Sequence, residues 1–365
     1  MVGTGSVLVP IFFRVGRAAG LVAQVPIHVG SSRAGATPEK VTARTRPGKV
    51  EGNLAKIAAE VGVEESVSRR WKNRPQPRAE SRALAGSPGD PARALDRETR
   101  ALYERICSEF SNRALLQALD DPTSDEIRLG EGLQIVLVPG ILYRRYPQTG
   151  ADGAMLKQIA ERLGVPFRTL SLNGIEGLES AADLITEHLL ALPPDADVLL
   201  FSLSNGSAAV RHALARDPEN PAFRRARAWV SVSGLPFGTP SAELILSRTI
   251  PRVIFSIWCR LRRWNLEAVR ELLLHRPAAP FELPAHMRFV QVAAFPCQAD
   301  LQDRRSRGLR ERLARFGPND GFAVLAELTG LPGHFYPLSG ADHYLRGVPD
   351  LSQRIARLIR LLGAA

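Results

Sequence analysis

With 365 residues and 45% apolar side chains, the chain has room for one large domain plus an accessory segment, which excludes a small stapled module. No apolar run reaches the ~18 residues of a membrane-spanning helix, and Cys107, Cys259 and Cys297 are too few and scattered for a disulfide framework or a zinc site. The net charge of +11 is uneven: residues 1–95 carry 15 Lys and Arg against 7 Asp and Glu, whereas residues 96–365 carry 33 against 30. An acidic partner is therefore expected for the leader alone.

Residues 1–50 show no sustained period of 2 or 3.6 and are expected to be largely disordered. Val7 to Phe13 is a short apolar run ending at Arg14 with no charged residue before it, which argues against a secretory signal and for a cytoplasmic protein. No methionine lies between Met1 and Met155, and one plain explanation of this segment is an assigned start upstream of the true one.

Within residues 51–75, the run Leu54 to Trp71 resembles a DNA-binding helix-turn-helix, with Ala58 at the tight contact, Gly62 at the turn, and Ile57, Val61, Val63 and Trp71 as apolar contacts. Ser68 stands where that pattern has a β-branched apolar residue. The favoured reading is a plain amphipathic helix pair whose Arg69, Arg70, Lys72 and Arg74 form a solvated basic face; nucleic acid is the minority one. Residues 76–95 read as a linker by their proline and glycine content, and a helix from about Pro91 to Leu119 overlaps its end.

From residue 96 onward strands alternate with helices, the pattern of a parallel sheet covered on both faces. Strands are expected at 133–138, 167–172, 198–203, 229–234, 289–295 and 334–338. Helices are expected at 154–163, 181–192, 208–215 and 351–362. Between 241 and 286 two helical stretches follow one another without a strand, and this insertion is read as a cap over the strand ends.

The stretch Val198 to Ala215 reads as a buried strand, a sharp turn and a helix, with Ser204 at the tip. Such a turn needs small residues two places either side of the serine, here Ser202 and Gly206. Ser202 is the poorer nucleophile, because its own preceding partner would be Leu200. A serine hydroxyl needs a base to take its proton, and that base is oriented by a carboxylate. His343 lies on the loop after the last strand, and Asp320 on a turn flanked by Gly317 and Gly321. His334 and His212 compete for the base. Asp300 and Asp303 are rivals for the acid, whereas Asp342 is read as fixing the loop.

On the turn at 202–206, the strand-glycine turn at 138–142, Asn319-Asp-Gly321 and Asp342-His343, residues of about 130–363 resemble an α/β-hydrolase of the lipase and esterase kind. The resemblance implies a mostly parallel sheet with a helical cap, in which Ser204 attacks an acyl carbon, His343 shuttles the proton and Asp320 orients it. It further implies an oxyanion hole of backbone N–H groups from Asn205 and from Ile141 or Leu142. The expected reaction is cleavage of a small-molecule or lipid ester through an acyl-enzyme, with no metal or organic cofactor. Thioester cleavage, acyl transfer, or a DNA-binding regulator with a hydrolase-like sensor are the alternatives. The sequence departs from many lipases in having Val138-Pro-Gly140 without a His-Gly or Gly-Gly pair, and Ser202 for the first glycine of the turn.

Overall fold

The structure is a computed structural model and describes residues 91–141, 143–144, 149–172, 176–241 and 282–365, together with Val253, Ser256, Ile257, Arg260 and Glu271. The expected leader, the helix-turn-helix-like run, most of the linker, Leu142 and nearly all of the cap lie outside the described residues.

Six strands form one parallel sheet: β1 (Leu133–Val138), β2 (Phe167–Thr169), β3 (Asp197–Leu203), β4 (Ala226–Val232), β5 (Arg288–Phe295) and β6 (His334–Ser339), in the order β2-β1-β3-β4-β5-β6. A strand covered on both faces is mostly apolar, and β1 is buried along its whole length with Gln134 its one polar residue. Its alternate side chains enter different cores. Leu133, Ile135 and Leu137 join one apolar cluster, and Val136 and Val138 another.

The first cluster is closed by α3 (Ala154–Leu163) and by the last helix α8 (Leu351–Leu362), through Leu156, Ile159, Ile355 and Leu358. The second is closed by α4 (Leu178–Leu190) and α5 (Gly206–Arg216), through Ile185, Leu189, Val210 and Leu214. Each such side chain contributes about 1.5–3 kcal/mol by leaving water. On β4 the residue Arg227 is extra to the ladder, which steps from Ala226 to Ala228 opposite Val198 and Leu199. Its guanidinium pairs with Asp197 at 2.7 Å.

The single helix expected at 91–119 is two, α1 (Pro91–Ser108) and α2 (Phe110–Asp120), and α1 takes up the last residues of the expected linker. Glu109 between them is extended, with ψ 134. The break is held by Asn112, whose amide donates to Ile106 O at 3.1 Å and to the Glu109 carboxylate at 2.8 Å. Its carbonyl oxygen accepts the N–H of Phe335 at 2.7 Å, so the helix break satisfies a donor of the edge strand β6. Leu102 and Ile106 of α1 pack with Ala293, Phe295 and Phe335 in a third cluster.

A helix not anticipated from the sequence, α6 (Arg304–Leu313), carries few apolar residues. It is started by Asp303, whose side chain accepts the Ser306 N–H at 2.7 Å. The short α7 (Leu325–Leu328) follows. Arg310 of α6 is fully buried, pairs with Asp96 of α1 at 2.8 Å and donates to Thr99 Oγ1 at 3.2 Å. Removing one partner of a buried pair strands the other charge. Asp96→Ala is expected to destabilise the domain by about 3–5 kcal/mol, read as a lower urea midpoint.

Candidate active site

Ser204 occupies the turn between β3 and α5 with φ 47, in the left-handed region that side chains rarely adopt. Its N–H donates to Val232 O on β4 at 3.0 Å, and its C=O accepts the N–H of Leu235 at 2.9 Å. The crossing is tight enough that a Cβ on Gly206 would lie 2.6 Å from Val138 O and 2.8 Å from Pro139 O. Only glycine fits there. Gly140 packs from the other side, where a Cβ would sit 3.6 Å from the Ser204 Cβ.

Beneath the turn lies a buried hydroxyl network that the sequence reading did not identify. Ser202 and Ser207 share a hydrogen bond of 2.8 Å, Trp229 Nε1 donates to Ser202 Oγ at 2.7 Å, and Ser231 Oγ donates to Ser207 Oγ at 2.9 Å. Ser202 is wholly buried and committed to this network. The available signal was polar residues at 202, 207 and 231 inside otherwise apolar surroundings.

Ser204 Oγ lies 3.1 Å from His343 Nε2, and His343 Nδ1 lies 2.9 Å from Asp320 Oδ2. A carboxylate only accepts, so Nδ1 carries the proton of the neutral ring and Nε2 is left to accept from the serine hydroxyl. Asp320 is 2% exposed, and its other oxygen accepts the N–H groups of Phe322 at 2.9 Å and Ala323 at 2.7 Å. The preceding Asn319 fixes the turn: its Oδ1 accepts from Gly321 N at 3.0 Å, and its amide donates to Gly317 O at 2.9 Å and Arg310 O at 3.3 Å. Gly321 has φ 95, the left-handed geometry the turn needs. From the loop after β4, Ser241 Oγ donates to Gly321 O at 2.9 Å.

Of the competing residues, all but His334 bond to other groups. His212 bonds the Glu179 carboxylate at 2.8 Å on the surface, and His334 begins β6. Asp300 accepts from Cys297 N at 2.7 Å. Asp303 caps α6 and pairs with Arg346 at 3.2 Å. Asp342 accepts the N–H groups of Tyr344 at 3.0 Å and Arg346 at 3.1 Å, and also pairs with the Arg346 guanidinium. This carboxylate organises the loop that carries His343.

Two aromatic rings flank the imidazole, and neither was singled out from the sequence. Phe322 lies 4.6 Å from it, centroid to centroid, and Tyr344 stands edge-on at 5.6 Å. Of the three backbone groups expected to face an oxyanion, Asn205 stands at the start of α5, Ile141 is half-buried in the turn after Gly140, and Leu142 lies outside the described residues. Among the described residues no group of three or more His, Cys, Asp and Glu is arranged to hold a metal ion. None of the described helices is long and apolar enough to cross a membrane. Cys107 and Cys297 are free thiols pushed up by burial, which lowers their reactivity; Cys259 lies outside the described residues.

Two outcomes follow from these contacts. Gly206→Ala is expected to destabilise the domain by about 1–3 kcal/mol in urea unfolding, because backbone carbonyls must move to admit the methyl group. For Asp303, burial raises the carboxyl, but the Ser306 N–H and hydroxyl and the Arg346 guanidinium outweigh it and hold it below the ordinary carboxylate range. A depressed folded value means a contribution fully present above the unfolded pKa of about 3.9 and lost as the pH falls through the folded one. Asp303→Asn is expected to flatten the acid side of the stability profile below about pH 4, read from urea midpoints across pH.

No protein-family model matches the chain, and no curated protein sequence is similar to it. Among solved structures, it is similar to the metagenomic carboxyl esterase MGS0156, with 21% identity, a TM-score of 0.50, and coverage of 76% of this chain and 96% of that one. The mature form of Bacillus licheniformis lipase BlEst2 aligns with 16% identity and a TM-score of 0.48 over 63% of this chain and 91% of its own. With its parallel six-stranded sheet, helices on both faces and a serine turn between β3 and α5, the chain has the α/β-hydrolase fold.

Proposed function

We propose that the protein is a serine hydrolase that cleaves a carboxylic ester through an acyl-enzyme. The observation that carries this reading is the hydrogen-bonded path from Ser204 through His343 to Asp320, which joins a hydroxyl, an imidazole and a buried carboxylate in the order such chemistry needs. The carboxyl esterase that shares the fold supports an ester as the substrate.

In this reading His343 Nε2 takes the Ser204 proton as Oγ attacks the ester carbonyl carbon. Asp320 keeps the Nδ1 proton in place and balances the imidazolium. In this reading the oxyanion is held by the N–H of Asn205 and by that of Ile141 or Leu142. As the tetrahedral intermediate collapses, His343 returns the proton to the departing alkoxide, which leaves as an alcohol. Water, deprotonated by the same imidazole, then attacks the acyl-serine, releasing the carboxylic acid and restoring Oγ–H. The sequence requires no metal or organic cofactor.

Ser204→Ala is expected to lower p-nitrophenyl ester turnover by at least about 10^4-fold and to abolish labelling by a fluorophosphonate probe. Asp320→Asn, which keeps the shape but favours the wrong tautomer, is expected to cost roughly 10^4-fold in kcat. Labelling that persists in Ser204→Ala would remove the nucleophile assignment. A thioester panel run in parallel reads whether sulfur leaving groups are taken faster than alcohols.

A further inference from the structure

Asp320 takes two backbone N–H groups on one carboxylate oxygen, from Phe322 at 2.9 Å and Ala323 at 2.7 Å. Each N–H belongs to a flat peptide group whose carbonyl points the opposite way. For the Phe322 N–H that carbonyl is Gly321 O, and it accepts from Ser241 Oγ at 2.9 Å. For the Ala323 N–H it is Phe322 O, which accepts from Thr239 Oγ1 at 2.6 Å. A carbonyl only accepts, so both hydroxyls donate. Both peptides that hold the acid are thus held in turn by a hydroxyl from the loop after β4. Thr239 Oγ1 also accepts the Ser241 N–H at 3.1 Å, which ties the two residues to each other.

Two chains of hydroxyl, peptide and carboxylate therefore run side by side and meet at Asp320. Its other oxygen continues to His343 Nδ1 at 2.9 Å, and Nε2 to Ser204 Oγ at 3.1 Å. A hydroxyl on a carbonyl draws electron density through the peptide, and the N–H at the far end becomes a stronger donor. Hydrogen bonds in series reinforce one another by roughly 10–30% per bond. Thr239 and Ser241 are both buried, so their hydroxyls are reserved for these carbonyls. The same loop meets the nucleophile turn, where the Leu235 N–H donates to Ser204 O at 2.9 Å. One segment, Leu235 to Ser241, thus bonds to both the serine end and the acid end of the path.

We propose that Thr239 and Ser241 are positioning residues for the reaction, acting through these two peptides to fix the Asp320 carboxylate against His343. The proposal rests on the ester-hydrolase reading above and adds to it the groups that orient its acid. Each hydroxyl is spent on a carbonyl and not on a substrate, so its loss falls on kcat and not on KM. Holding the loop after β4 in place, with no effect on the acid, is the competing role for the same two residues.

The test measures p-nitrophenyl acetate turnover on the full chain, with kcat counted per molecule labelled by a fluorophosphonate probe. Only intact sites then contribute. Thr239→Val and Ser241→Ala are each expected to lower kcat about three- to tenfold, with KM within about twofold of the unsubstituted value. Thr239→Ser, which keeps the hydroxyl and loses only the methyl group, is expected to hold kcat within about twofold. Thr239→Cys and Ser241→Cys, whose thiols donate weakly, stand in for any variant that does not fold and are expected to move kcat the same way. In an Asp320→Asn background the same substitutions are expected to change the labelling rate by less than about twofold, because the carboxylate they act through is gone. An unchanged kcat per labelled molecule in both variants, with only the urea midpoint lowered, overturns the positioning role in favour of the loop-holding one. Equal rate losses with and without Asp320→Asn also overturn it. Absence of both labelling and turnover in the unsubstituted protein overturns the ester-hydrolase reading and this proposal with it.

Discussion

The close passage of α5 over the end of β1 is the constraint on which the rest of the site depends. Gly206 leaves no side chain between the helix and the carbonyls of Val138 and Pro139, so α5 starts immediately after β3. That abrupt reversal is what puts Ser204 at φ 47, a conformation costing about 1–3 kcal/mol that surrounding contacts must hold. The hydrogen bonds of Ser204 to Val232 and Leu235 and the hydroxyls of Ser202, Ser207 and Ser231 supply that hold from below. Each such bond contributes about 1 kcal/mol net, but removing one partner leaves a buried polar atom unsatisfied, which costs more.

Carboxylates divide their work by what they bond. Asp303, Asp342 and Asp320 all lie near the loops at the end of the sheet, and Arg346 takes the first two. Their charge is spent on a guanidinium that ties the start of α6 to the loop of His343. Among the described residues no arginine pairs with Asp320; its oxygens meet two backbone N–H groups and the imidazole. Ion pairing with Arg346 and hydrogen bonding to the imidazole are therefore kept on separate acids, and Asp320, which meets the imidazole, is more deeply buried than Asp303.

The first two helices belong to the same structure. Asp96 neutralises Arg310, and Arg310 O in turn accepts from Asn319, the residue before Asp320. A contact more than two hundred residues apart in sequence thus reaches the acid turn through one side chain and one carbonyl. Asn112 extends the same logic to β6, occupying an edge N–H with a side chain from the helix break.

Much of this was open to the sequence. Largely apolar runs determine the strands, because a strand buried on both faces has no solvent-facing side that needs polar residues. Small residues at 202 and 206 determine the turn, because no Cβ fits at Gly206. The order of Ser204, Asp320 and His343 along the chain narrows the site to a few residues, with their loops placed at strand ends. Tertiary structure alone decided which acid meets the imidazole, since Asp300, Asp303, Asp320 and Asp342 differ only in what their oxygens reach. It also decided the break at Glu109, beside which Asn112 meets Phe335 of a distant strand, and the aromatic flanks of His343. Local pattern reports which face of an element is apolar; which side chains meet across loops depends on contacts between residues far apart in the chain, and no periodicity encodes those.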